Sequence, residues 1–173
     1  MAETIGAREP VAVRPLIGLL SQLRALIDAL TDEEYTRKPV GAVESSIGGH
    51  VRHNLDHVGA LLRGLPIGRV CYDHRDRDTD VERDRLAARD AIRRLEAELF
   101  AFDWPAAPAR VELEALVEPD LPPALALTSV ERELAFVVGH TIHHNALIRV
   151  MVKVLGRTVP ADFGYAPSTI ARR

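Results

Sequence analysis

The 173-residue sequence has almost no cysteine: Cys71 stands alone, so no disulfide can close within the chain. It also lacks an excess of positive charge. With 22 Lys and Arg against 25 Asp and Glu, the formal net charge of -3 provides no broad field to attract DNA, RNA or an anionic membrane, and nucleic acid is not expected as a ligand. No apolar stretch approaches the roughly 20 residues needed to cross a bilayer. The segment Met1 to Pro10 lacks the basic-then-apolar layout of a signal peptide. Together these absences predict a cytoplasmic protein without membrane contact. Internal repeats and low-complexity segments are missing as well. What remains is a chain of 47% hydrophobic content, the right size for a single domain over residues 1–173 built on one core.

Apolar residues recur every three or four positions from Val11 to Leu30, through Leu16, Leu19, Leu20, Leu23, Leu26 and Ile27, which predicts a first helix with one buried stripe. Thr31 and Glu34 have capping-box spacing and predict a brief helical turn before Pro39 and Gly41 break the chain. A second helix is expected from Ser45 or Ser46 to about Arg63, stopped by Gly64, Pro66 and Gly68. After a polar segment, a third is expected from about Thr79 to Phe100, with Val81, Leu86, Ile92, Leu95 and Leu99 on its apolar face. Residues 102–127 carry Trp104 and five prolines, and Val111, Leu113, Ala115 and Val117 alternate with glutamates in the period of a strand. They are read as a long connection containing a small hairpin. Thr128 and Glu131 then predict a capping box opening a fourth helix that ends at Gly156, followed after Pro160 by packed coil. Four amphipathic helices with long later connections suit an all-α, four-helix bundle with crossover connections.

Six of the seven histidines fall in two short clusters, His50, His53 and His57 on the second helix and His140, His143 and His144 on the fourth. At about 100° per residue, the first three occupy a roughly 60° arc and face one neighbour. His140 and His144 form an i, i+4 pair whose imidazoles can converge on one ion. This pair lies on the stripe of Phe136, Val137, Leu147, Ile148 and Met151, so its rings are expected to point inward. A buried imidazole is costly unless paired, and ligation of a metal, with the other nitrogen held by an acceptor, removes that cost. A third histidine from the second helix would complete three protein ligands and leave a position open for water or substrate, as in catalytic sites. A hydrogen-bonded, metal-free histidine network is the plainer alternative. His74 falls in a charged loop and is expected to be solvated. The run Tyr72 to Asp78 is either a surface of paired charges or a flap over a site. Glu133, seven residues before His140, is expected to serve the surface or the helix cap, or to orient a ligand.

The segments Ser46-Ile-Gly-Gly-His50-Val-Arg-His53-Asn-Leu-Asp56-His57 and His140-Thr-Ile-His-His144-Asn-Ala-Leu-Ile148 resemble the two metal-binding segments of the DinB/YfiT-like family. The resemblance implies a four-helix bundle in up-down-down-up order. It further implies a divalent ion, zinc, nickel or iron, held by one histidine of the second helix and an H-x-x-x-H pair on the last. In the family's register these are His53, His140 and His144. The extra histidines depart from the simple pattern, so His50 or His57 could replace or supplement His53. The implied function is that of a metal-dependent enzyme, a transferase, isomerase or hydrolase, with a small-molecule substrate such as a low-molecular-weight thiol. The alternative is a non-catalytic metal-binding stress-response or interaction protein. A homodimer through a bundle face is expected.

Overall fold

The structure, a computed structural model, describes residues 9–38, 44–73 and 79–173. Within them the chain is mostly helical. Helix α1 (Val13–Asp28) buries Val13, Leu16, Leu20, Leu23, Leu26 and Ile27, the stripe that the period of 3.6 demands. In the short α2 (Asp32–Thr36), the Thr31 hydroxyl accepts the Glu34 N–H and the Glu34 carboxylate accepts the Thr31 N–H at 2.8 Å. The capping box therefore forms as its spacing predicts. Pro39 and Gly41 lie outside the described residues. Helix α3 (Ile47–Gly64) starts where the Ser46 hydroxyl accepts the Gly49 N–H at 3.0 Å. Three further helices follow: α4 (Arg85–Ala101), α5 (Val130–Val154) and the four-residue α6 (Pro167–Ile170).

Helix α1 packs on α4 and α5, and α3 packs on the same two, so the four long helices form a closed cycle of contacts. Leu20 and Leu23 of α1, Val58 and Leu61 of α3, Ile92 and Leu99 of α4, and Leu134, Ile148 and Met151 of α5 are fully buried in the shared core. Each such side chain contributes about 1.5–3 kcal/mol over its exposed state. Among the described residues no helix is long and apolar enough to cross a membrane.

An all-α fold is corrected by a three-stranded sheet in the order β1 (Arg69–Cys71), β2 (Arg110–Ala115), β3 (Ala124–Ser129). The expected hairpin is β2 and β3, antiparallel with Leu113 opposite Ala126. The strand β1 joins parallel to β2 with Val70 opposite Leu113. Three residues are too few for alternation to register, and β1 exists because the β2 edge is there to pair with it.

Two helix starts also move. In place of a helix from Thr79, Asp80–Glu82 form a 3₁₀ turn, and Asp84 caps α4 by accepting the N–H groups of Leu86 and Ala87. The capping box expected at Thr128 and Glu131 gives way to Ser129, which accepts the Arg132 N–H at 3.2 Å. The helix begins at Val130, so Ser129 rather than Thr128 holds the cap position, and the Thr128 hydroxyl donates to Glu133 instead.

Close backbone approaches lock α3 in place. A Cβ on Gly48 would stand 2.1 Å from the Glu82 carbonyl oxygen, and one on Gly64 would stand 2.4 Å from that of Arg69. Only glycine admits the 3₁₀ turn at one end of α3 and β1 at the other. The tail folds back on α5: the Arg149 guanidinium donates to the carbonyls of Pro160, Ala161 and Phe163 and lies 4.3 Å from the centre of the Tyr165 ring.

Candidate metal centre

The packing of α3 on α5 brings five of the histidines into one cluster. Between the two rows, Thr141 donates to Asn54 at 3.0 Å with both side chains fully buried. That bond ties the helices together beside His53 and His140. His53 has its ring centre 4.9 Å from that of His140 and 4.6 Å from that of His144, and the latter two are 4.5 Å apart. His57 lies flat against His140, with centres 3.7 Å apart and planes at 18°. The nearest approach of donor nitrogens groups His53, His57 and His140, all within 4.8 Å of one another. His50 and His144 face each other Nδ1 to Nδ1 at 3.1 Å. A bond of that kind requires a proton on one nitrogen and a lone pair on the other. His57 Nδ1 lies 3.0 Å from the His53 carbonyl oxygen, one turn back on its own helix, and donates to it.

Each sequence-expected site residue, His53, His140 and His144, is thus in the cluster. His50 and His57 are in it too, whereas His143 is exposed and meets only the edge of His144. His74 and the greater part of the Tyr72–Asp78 run lie outside the described residues.

Burial, reinforced by the neighbouring His140, His50, His143 and His57, pushes the His144 imidazole down to about 3. Burial and then His143 lower His50 in the same direction. Both rings are therefore neutral near pH 7, the form that ligates metals. Packing several imidazoles into a half-buried cluster suits a cation and disfavours protons. Zn–N distances near 2.0–2.1 Å and tetrahedral angles put the centres of two ligating rings about 5 Å apart. The ring-centre separations among His53, His140 and His144, 4.5–4.9 Å, lie close to that value, while the donor nitrogens within 4.8 Å of one another are those of His53, His57 and His140.

Beside the cluster a pocket of about 280 Å³ opens onto His57, Tyr72 and Phe136. The Tyr72 ring stacks on His57 at 5.2 Å, and its hydroxyl donates at 2.8 Å to Glu133. Glu133 is fully buried and also accepts from Thr128 at 2.8 Å and Arg132 at 2.9 Å. The surface role expected for Glu133 is corrected by this burial: its position seven residues before His140 marked the shared face, and of its donors Arg132 and Thr128 are near in sequence while Tyr72 is remote. Tyr72 was marked only as the start of the Tyr72–Asp78 run, and its place against His57 and Glu133 depends on contacts remote in sequence.

The model of the DinB superfamily matches residues 18–148. The chain is also similar, at 34% identity over 163 residues, to a protein of Rhizopus delemar named FK506-binding protein 5. That match covers 92% of this chain and 37% of the relative, so the chain spans well under half the length of the curated protein it resembles. With three quarters of its length matched to the family and the two histidine segments facing each other across α3 and α5, this chain belongs to the DinB superfamily.

Proposed function

We propose that this chain is a metal-dependent enzyme whose divalent ion, zinc, nickel or iron, is held by His53, His140 and His144. The observation that carries the reading is the convergence of histidines from two packed helices with ring spacings suited to one ion. His57 also has a donor nitrogen near His53 and His140. Its flat stacking on His140 at 3.7 Å is closer than two ligands of one tetrahedral ion lie, which supports His144 as the third ligand and His57 as a neighbour. His144 then ligates through Nε2 while its Nδ1 hydrogen-bonds His50, the outer partner that fixes ring orientation.

A bound ion supplies Lewis-acid polarisation and lowers the pKa of a substrate oxygen or thiol. The protein's own part is positional. The buried Asn54–Thr141 bond fixes α3 against α5, and the pocket walled by Tyr72 and Phe136 adjoins the cluster at His57. A pocket of ligand size against the cluster favours an enzyme over a non-catalytic metal module. We take the four long helices as one DinB-type domain in up-down-down-up order, working in the cytoplasm as a homodimer. The reaction class is transfer or isomerisation, with a low-molecular-weight thiol as the substrate.

Metal analysis of tag-free protein tests the centre. About one equivalent is expected, retained by a His57→Ala variant and lost by His53→Ala, His140→Ala and His144→Ala. A His144→Ala protein that kept its full equivalent would overturn this ligand set, and metal-free wild-type protein that gains none on titration would overturn the centre itself.

A further inference from the structure

The pocket beside the histidines carries charges of both signs on an aromatic wall. The wall is formed by His57, Tyr72 and Phe136, whose Tyr72 and Phe136 ring centres are 5.1 Å apart. Arg132 lines one side. Its guanidinium lies 5.4 Å from the Phe136 ring centre and uses Nη1 on Glu133, while more than half of the side chain is exposed. The rest of its donor fork is available to a ligand, and such a fork matches a carboxylate. Asp73 and Glu114 line the same pocket. Asp73 Oδ2 accepts the Leu116 N–H at 2.7 Å, leaving Oδ1 for another donor. Glu114 has Arg69 at 3.8 Å, but Arg69 makes its close bonds, 2.6 and 3.0 Å, to Glu112.

A simple anion in this pocket would meet the two carboxylates, and a simple cation would meet Arg132. The complementary ligand has both charges and an apolar or flat body between or beside them. We propose that the pocket binds a small zwitterion bearing an ammonium and a carboxylate, of the amino-acid class, with the carboxylate on Arg132 and the ammonium on Asp73 and Glu114. The volume of about 280 Å³ lies at the small end of ligand pockets and limits the occupant to a molecule of roughly single-amino-acid size. The proposal rests on the metal-site reading for one point only, that ligand held here lies against the reactive centre.

Calorimetric titration of metal-stripped protein with three phenyl compounds separates the charges: phenylalanine carries both, phenethylamine only the ammonium, and 3-phenylpropionate only the carboxylate. Phenylalanine is expected to bind at least about tenfold tighter than either analogue, the effect of one hydrogen bond to a charged group. Arg132→Gln should erase its advantage over phenethylamine, and Glu114→Gln should reduce its advantage over 3-phenylpropionate. Equal affinity for all three compounds, tighter binding of a singly charged one, or no binding of phenylalanine by folded parent protein would each overturn the proposal. The parent series needs no variant to fold. Because the metal is absent from the titration, its result is separate from metal stoichiometry, and either reading can fail alone.

Discussion

Replacing Tyr72 with Phe removes one hydroxyl and leaves in place the ring that stacks on His57 at 5.2 Å. The lost hydrogen bond, 2.8 Å long, ends on the carboxylate of Glu133, which is 0% exposed. Burial also raises the Tyr72 hydroxyl pKa, with Glu133 adding to it, so the phenol remains a donor at every accessible pH. A hydrogen bond to a charged group contributes about 1.5–3 kcal/mol, and no solvent reaches Glu133 to replace the missing donor. Thr128 and Arg132 still hold the carboxylate, which keeps the cost below that of an orphaned charge. Tyr72→Phe is therefore expected to destabilise by about 2 kcal/mol, or about 4–8 °C in Tm for a chain of this size. Urea unfolding at pH 7 should show a lower midpoint with an unchanged m-value. A cycle combining Tyr72→Phe with Glu133→Gln should give a coupling of about 1 kcal/mol or more. A single variant within about 0.5 kcal/mol of the parent, or zero coupling, would refute the view that this pair joins the segment after β1 to α5.

Gly48→Ala should cost about 1–3 kcal/mol, since its Cβ would have to displace the Glu82 carbonyl and the Tyr35 ring; an unchanged urea midpoint would contradict the close packing. His50→Ala should weaken metal binding about 10–100-fold while keeping stoichiometry, as measured by chelator competition; an unaltered affinity would remove His50 as the outer partner of His144. In metal-stripped protein, His144 is pushed below its ordinary imidazole pKa of 6.5, so the unfolded chain takes up the proton first. Its contribution to stability is complete above about pH 6.5 and is lost as the pH falls toward 3. A His144→Gln protein should show a flatter decline in urea midpoint between pH 7 and pH 5, and parallel declines would argue against this. Saturating metal should raise the Tm of the parent and a strong chelator should lower it, because an ion held only by the native arrangement stabilises that arrangement.

The helices were legible wherever a stripe ran long enough, as from Leu16 to Ile27, because the same periodicity that marks a helix also buries it. The box at Thr31 and Glu34 was legible because both of its partners are local. Thr128 misled because the neighbouring hydroxyls of Thr128 and Ser129 both suit a cap, and the point where β3 hands over to α5 decides between them. The clustering of His53 and His140 followed from helical spacing, since each row needs only its own helix to face one way. The stacking of Tyr72 on His57 and the Tyr72 hydrogen bond to Glu133 join residues far apart in sequence, which no local pattern encodes.

The two backbone contacts at Gly48 and Gly64 make α3 resemble a beam clamped at both ends. A beam so held resists rotation about its own axis, and rotation is the motion that would swing His50, His53 and His57 out of line with α5. The hairpin and the pocket residues Tyr72, Arg132 and Phe136 belong to other parts of the chain. Their side chains can change to suit a different ligand while the heading of the α3 histidines stays as it is.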